Sequence, residues 1–204
     1  MTIRNIIVLV LILVAVSGCQ NGDTTTKAVP ITANPPGESS IVSGTPVPLP
    51  FDNRFPNRWN PANDGTSFEP CVAYSDEELT AFGIDPAQIE DVAQVDGQGT
   101  RGCSWKMPDG FSLSRVVTNS ESLDVYRQGV SEVDWRSDLL VGDRRVGSFG
   151  IQYESSELCS TYVQSFKAGV VTNVMVFDSA EGKAAEPCEF VDSFTRAYID
   201  KIPE

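Results

Sequence analysis

The chain has 204 residues, a formal net charge of −13 and no histidine. Its acidity argues against nucleic acid as a partner, because phosphate binding needs a basic surface. The lack of histidine excludes Ser-His-Asp and Cys-His nucleophiles and histidine-ligated zinc, and it leaves carboxylate, lysine and tyrosine chemistry open. Hydrophobic residues make up 41% of the chain, which suffices for one core, so we expect one globular domain with extensions.

The N-terminus has the pattern of an export signal. Arg4 precedes an apolar run from Ile6 to Val16, which is shorter than the roughly 20 residues that a membrane-spanning helix needs. The run ends in Ser17-Gly18-Cys19, which resembles a lipobox. That resemblance implies a signal peptide over residues 1–18 and a lipid anchor, with palmitate, on Cys19. Two or more acyl chains hold a protein stably, so we expect the chain on the outer face of the cell membrane. An ordinary secretory signal with an incidental cysteine is the alternative.

Two segments of unusual composition follow the signal. Residues 19–50 are rich in proline, serine, threonine and glycine, which predicts a disordered tether. Residues 51–67, called the arm below, carry aromatic and arginine residues that are typical of interface hot spots. Either the arm contacts a partner or a glycan, or it packs its rings onto the domain. The candidate contact residues are Phe51, Arg54, Phe55, Arg58 and Trp59.

The cysteines predict a disulfide framework. With Cys19 assigned to lipid, four cysteines remain, and an even number in an exported chain indicates two disulfides. We favour Cys71–Cys103 and Cys159–Cys188, because each pair closes a local loop of about 30 residues and would contribute roughly 3–4 kcal/mol. Without histidine or C-x-x-C spacing we expect no metal site, and no residue pattern indicates a cofactor.

Local signals predict the elements of the domain. Ser75 and Glu78 form a capping box for a helix that ends at Gly83. Alternating residues predict a hairpin of strands 101–107 and 111–117 around a Pro-Asp-Gly turn, followed by a short helix from Leu123. Further strands are predicted at 139–141, 146–153, 159–166 and 170–177, and a final helix at about 188–202.

These elements predict the fold class of residues 68–204. We expect a single α+β domain in which an antiparallel sheet of hairpins is covered by helices on one face and held by two disulfides. Arg144 and Arg145 follow the predicted Gly142-Asp143 turn. We expect both arginines to be solvated, so that reversing their charge would leave folding intact; the alternative is a basic hairpin tip that contacts an anionic partner.

Several motifs together carry a resemblance to a known family. They are the lipobox, Phe68-Glu69-Pro70-Cys71 before the helix that begins near Ser75, Gly102-Cys103-Ser104-Trp105, and the late Cys159 and Cys188. The sequence resembles actinobacterial cell-envelope lipoproteins that share a domain of unknown function, domain-of-unknown-function family 3558. The resemblance covers roughly residue 68 to the C-terminus and leaves the arm outside. It implies an envelope location and a disulfide-bonded domain, and it brings no catalytic residues.

The favoured functional interpretation is a membrane-anchored, extracytoplasmic and non-enzymatic module of the cell envelope. Its partners would be the membrane, through the lipid anchor, and an unknown envelope protein or lipid. Tethering suits such a role, because it raises the local concentration of the domain. One alternative is a carrier of a lipid or glycolipid, with a cleft lined by aromatic residues that could equally be core: Trp105, Phe111, Phe190 and Phe194.

A cell-wall hydrolase with paired carboxylates is a weaker alternative. Glycosidases hold two carboxyl groups across the scissile bond. The acidic residues Asp76, Glu77 and Glu78 are better explained as helix-start charges, and Asp134 and Asp138 as a solvated loop. A transport-associated solute-binding protein is disfavoured, because such proteins usually have two lobes.

Overall fold

The computed structural model describes residues 47–107, 110–154, 156–177 and 186–204. The predicted signal peptide, the predicted lipidation site Cys19 and most of the predicted tether lie outside the described residues. Pro108 and Asp109 of the predicted hairpin turn also lie outside them.

The described residues form one antiparallel sheet of eight strands. The strands are β1 (Ile89–Asp91), β2 (Arg101–Lys106), β3 (Phe111–Asn119), β4 (Asp134–Trp135), β5 (Leu139–Val141), β6 (Arg144–Gln152), β7 (Ser156–Ser165) and β8 (Ala168–Phe177). Their order is β1-β2-β3-β8-β7-β6-β4, and β5 also pairs with β6. The predicted hairpins β2–β3, β5–β6 and β7–β8 are confirmed, whereas the short strands β1 and β4 were not predicted.

The described residues contain three α-helices, α1 (Asp76–Thr80), α2 (Leu123–Gly129) and α3 (Pro187–Tyr198), and α3 continues into a 3-10 turn. The predicted capping box begins α1, because the Ser75 side chain accepts from the Glu78 backbone and the Glu78 side chain accepts from the Ser75 backbone. Gly83 adopts a positive φ of 71° just beyond α1, as a left-handed residue after a helix should.

Both predicted disulfides are confirmed. Cys71–Cys103 joins the 3-10 turn at residues 70–72 to β2, with the two Cα atoms 5.3 Å apart. Cys159–Cys188 joins β7 to the first turn of α3, with a Cα separation of 5.0 Å. Each cystine therefore fastens a helical segment to the sheet.

The main core lies between α3, α1 and one face of the sheet. The predicted cleft residues Trp105, Phe111 and Phe194 are buried in this core, whereas Phe190 is half-buried beside it. A smaller cluster on the opposite face, under α2, is formed by Leu123, Phe149, Tyr162 and Val171. The expectation that helices cover only one face of the sheet was therefore wrong, because α2 covers part of the second face.

A row of buried polar side chains crosses the main core at one level of the sheet. These side chains occupy matching register positions on β3, β8, β7 and β6 and are Arg115, Thr172, Thr161 and Ser148. The Thr161 and Thr195 hydroxyls lie 2.6 Å apart, and the Ser148 hydroxyl lies 3.5 Å from the Asp192 carboxylate. The row thus connects the sheet to α3.

Arg115 brings a charge into the core. Its side chain is fully buried, donates to the Tyr74 hydroxyl and lies beside the rings of Phe68, Tyr74 and Phe194, at 5.4–5.6 Å. Burial lowers the pKa of Arg115 to about 9. Ring faces attract cations, so this aromatic surround offsets part of the cost of burying the guanidinium group.

The expectation that Arg144 is solvated was wrong. Its guanidinium group donates to the carbonyl oxygens of Ile199 at 3.0 Å, Ile202 at 2.7 Å and Gln164 at 2.6 Å. Arg145 is half-exposed and forms ion pairs with Asp138 and Asp124. Arg144 therefore fastens the segment after α3 to the sheet, and Arg145 belongs to a surface network.

Arg144→Met is expected to lower the free energy of unfolding by about 2–3 kcal/mol, because three carbonyl oxygens lose a charged donor. Arg145→Met is the matched control and should lose about 1 kcal/mol or less, since exposed ion pairs contribute little. Urea denaturation of the purified domain measures both values. Equal losses for the two variants would contradict the assigned role of Arg144.

Candidate functional site

The arm is fastened to the domain by the buried side chain of Arg58. Its Nε lies 3.0 Å from the Asp91 carboxylate on β1, and its Nη1 lies 3.0 Å from the Glu69 carboxylate. Its Nη2 donates to the Gly102 carbonyl on β2 at 3.0 Å and to Cys71 Sγ at 3.2 Å. One guanidinium group therefore connects the arm to two strands and to a cystine.

A second buried arginine fastens the arm from the side of the sheet. Arg101 on β2 is fully buried and donates to the backbone carbonyls of Asn63, Thr66 and Phe68 at 2.7–3.1 Å. It also forms an ion pair with Glu69 at 3.1 Å, so Glu69 lies between two arginines. The Arg101 guanidinium carbon lies 3.7 Å from the centre of the Trp59 ring, which holds Trp59 against the domain.

The buried charges around Glu69 are balanced. Burial opposes the charged form of Arg58, but hydrogen bonds and attraction to Glu69 and Asp91 raise its pKa. Burial lowers the pKa of Arg101 to about 10. Two cations and two carboxylates therefore share one largely dry site, an arrangement that tolerates the loss of a partner poorly.

The arm is also fastened to the connection between β1 and β2. The Asn57 backbone and side-chain nitrogens each donate to the Asp96 carboxylate at 2.8 Å. The Asn60 side chain donates to the Gln98 carbonyl at 2.9 Å. Because these bonds come from both sides of Arg58, the arm from residue 57 onward has a fixed path.

A groove opens between the first part of the arm and strand β1. Its volume is about 610 Å³, within the range of roughly 300–1,000 Å³ typical of ligand sites. It is lined by Phe51, Asp52, Arg54, Phe55, Ile89, Glu90, Asp91, Ala93 and Gln94. We call it the arm groove. One wall is thus formed by arm residues that include two aromatic rings, and the other by β1 and the residues that follow it.

The arm groove carries three carboxylates and one guanidinium group. Asp91 is neutralised by Arg58, and Glu90 forms an exposed pair with Lys106 at 2.6 Å. Asp52 and Arg54 are exposed and have no ion-pair partner among the described residues. The groove and the cations paired with it are therefore formally neutral, but the Glu90–Lys106 pair is exposed and weak, so the Glu90 carboxylate remains available to an incoming cation.

The structure divides the five predicted contact residues into two groups. Arg58 is only 3% exposed and Trp59 covers Arg101, so both of these residues hold the arm in place. Phe51, Arg54 and Phe55 line the arm groove. The two interpretations of the arm therefore both apply: residues 57–60 and the Phe51 ring pack onto the domain, whereas Arg54 is exposed and Phe55 is half-buried.

Two of the carboxylates considered for hydrolysis, Glu77 and Glu78, have environments that favour the ionised form. The pKa of Glu77 is lowered by backbone and side-chain hydrogen bonds at the start of α1, and that of Glu78 is lowered by its bond to Lys201, whereas a general acid needs a raised value. Burial raises the pKa of Asp192, but its described partners are Arg136 and Ser148. Asp138, expected in a solvated loop, is paired with Arg127 and Arg145.

Comparison with known families identifies the chain. The model of a family described as "Protein of unknown function (DUF3558)" matches residues 14–201. The chain belongs to this family. The match includes the arm, so the expectation that the shared part begins at residue 68 was wrong. Comparison with curated proteins and with solved structures gave no match.

Two further observations concern the described part of this family member. None of its helices is both long and apolar enough to span a bilayer. Across the same described ranges, no group of three or more cysteine, aspartate, glutamate or histidine residues is placed to hold a metal ion.

Proposed function

We propose that this family member is an extracytoplasmic lipoprotein, anchored through Cys19, whose domain binds a component of the cell envelope without catalysing a reaction. The arm groove is the proposed contact surface. The observation that carries the proposal is the groove itself, whose arm wall is held at Phe51 by packing against the main core and, beyond Phe55, by the buried ion pairs of Arg58. A wall fixed in advance loses little conformational entropy on binding, which favours affinity.

The carrier alternative receives less support. A cleft between helix and sheet would need accessible aromatic rings, but Trp105 and Phe194 are at most 1% exposed. Phe111 is 8% exposed and packs in the same cluster. An apolar ligand would have to separate α3 from the sheet, which the Cys159–Cys188 link opposes.

The proposed anchor predicts partitioning into detergent. The native protein is expected in the detergent-rich phase of a phase-separation assay, and Cys19→Ala is expected in the aqueous phase, because acyl chains supply the membrane affinity. A thiol count on the denatured, non-reduced protein should find no free cysteine. A wild-type protein in the aqueous phase would contradict the anchor.

The proposed contact surface is tested by photo-crosslinking in intact cells that make the full-length protein. Phe55→benzoylphenylalanine places the reactive group in the arm groove, and Val125→benzoylphenylalanine places it on exposed α2 as a control. We expect a discrete adduct at position 55 that position 125 does not give. Absence of any adduct at position 55, or the same adducts at both, would contradict a binding role for the groove.

A further inference from the structure

Strand β1 is an edge of the sheet, and one of its sides faces the arm groove. It pairs with β2 along its inner side and has no strand partner on its outer side among the described residues. Ile89, Glu90 and Asp91 all line the groove. An edge strand presents unpaired N–H and C=O groups, which can template the pairing of another chain.

The register shows which backbone groups point outward. The Val92 N–H donates to the Gly102 carbonyl, so Val92 and Gly102 form a hydrogen-bonded residue pair across the two strands. Along antiparallel strands, hydrogen-bonded residue pairs alternate with pairs that are not hydrogen-bonded to each other. The next hydrogen-bonded pair is therefore Glu90 with Ser104. The N–H and C=O groups of Ile89 and Asp91 therefore point away from β2, toward the groove.

We propose that the arm groove takes an extended polypeptide segment of an envelope protein, which adds to β1 as a further strand. This inference rests on the proposed binding function and specifies its ligand class. The segment would place an apolar side chain against Phe51 and Phe55. It would also present a basic side chain to Glu90, whose pair with Lys106 is exposed and therefore weak.

Backbone chemistry favours a polypeptide over a lipid or a glycan. The outward N–H and C=O groups of Ile89 and Asp91 recur at strand spacing, and an extended backbone supplies complementary groups at the same spacing. An acyl chain can satisfy none of these groups. The aromatic wall alone would suit a sugar or a lipid, but it does not account for the aligned strand edge.

The flanks of β1 limit the length of the segment. A 3-10 turn, Pro86–Gln88, precedes the strand, and Ala93 N is already bonded to the Asp91 side chain at 3.0 Å. Pairing can therefore extend over only about three residues, as is common for protected edges. The short pairing length makes the side-chain contacts at Phe51 and Phe55 the source of selectivity.

The test uses the full-length lipidated protein in detergent micelles and a library of random linear nonapeptides displayed on phage. Peptides that bind wild type are re-synthesised with single N-methyl groups at successive amides. We expect affinity to fall at least about tenfold at alternate amides only, because only those amides face β1. If N-methylation weakened binding equally at every amide, or at none, strand addition would be wrong. It would also be wrong if the library gave no peptide whose binding depends on the arm groove.

Two variants locate the binding. Phe55→Ala should weaken the selected peptides at least about tenfold, and Leu140→Ala, at an exposed apolar residue elsewhere, should leave binding unchanged. Glu90→Lys should weaken basic peptides. Thermal unfolding confirms that each variant is folded. Equal binding by wild type and Phe55→Ala would overturn the site.

The crosslinking experiment distinguishes this inference from the function on which it rests. A specific lipid or glycan adduct at position 55 would overturn the polypeptide ligand and leave the binding function standing. The lack of any specific adduct at position 55 would contradict both the polypeptide ligand and the binding function. A protein adduct whose crosslinked segment competes with the selected peptides would support both.

Discussion

Replacing Glu69 by glutamine is expected to lower the free energy of unfolding by about 3–5 kcal/mol, because a buried ion network loses its central anion. Glu69 is 5% exposed and accepts hydrogen bonds from Arg58, Arg101 and the Cys71 backbone. Glutamine keeps the shape of the side chain but brings two N–H donors toward two guanidinium groups. Urea denaturation, analysed by linear extrapolation, measures the difference.

Glu90→Gln is the matched control for this substitution. Glu90 also pairs with a cation, Lys106, but its side chain is 56% exposed. Water replaces the lost partner there, so the expected change is about 1 kcal/mol or less. If Glu69→Gln changed the free energy of unfolding as little as Glu90→Gln, the buried charges could not be what fixes the arm. The proposed support of the arm groove would then be wrong.

Gly102→Ala is expected to destabilise the domain by at least about 3 kcal/mol and to prevent normal pairing of β2 with β3. Gly102 has a φ of +149°, which residues with a side chain rarely adopt. A Cβ atom at this position would lie 2.0 Å from the Arg115 carbonyl oxygen and 2.8 Å from Val116 Cα. Both are backbone atoms of β3 and can move only if the strands separate.

Gly99→Ala tests whether the effect is specific to that position. A Cβ atom on Gly99 meets nothing within 4 Å, and its backbone is not in the left-handed region. The expected change is within about 0.5 kcal/mol. Circular dichroism and urea denaturation of both variants supply the comparison. A stable, normally folded Gly102→Ala protein would contradict the β2–β3 register that sets Gly102 opposite Val116.

Elements with local signals were predictable from sequence. Alternation of buried and half-buried positions in β3, and the capping box at Ser75, each depend on residues a few positions apart. The pairings of the cysteines were also predictable, because each links segments about 30 residues apart and no competing local pair exists.

The arm groove could not be predicted, because it depends on long-range partners. Strand β1 has three residues, too few to show a period, and it is a strand only because β2 pairs with it. The arginine of the arm was recognised, but its carboxylates lie 11 and 33 residues away at Glu69 and Asp91. An acidic residue directly before a buried Pro70-Cys71 pair was the available signal.

The polar row across the main core bears on how the chain finds its native pairing during folding. A hairpin that slips by two residues keeps every side chain on its correct face, so alternation alone cannot reject it. Such a slip between β7 and β8 would set Thr161 opposite Val170 or Val174 instead of Thr172 and so interrupt the polar row. The mismatch becomes costly when α3 closes over this face and removes water from the misplaced polar groups, which narrows the set of compact states that compete with the native one.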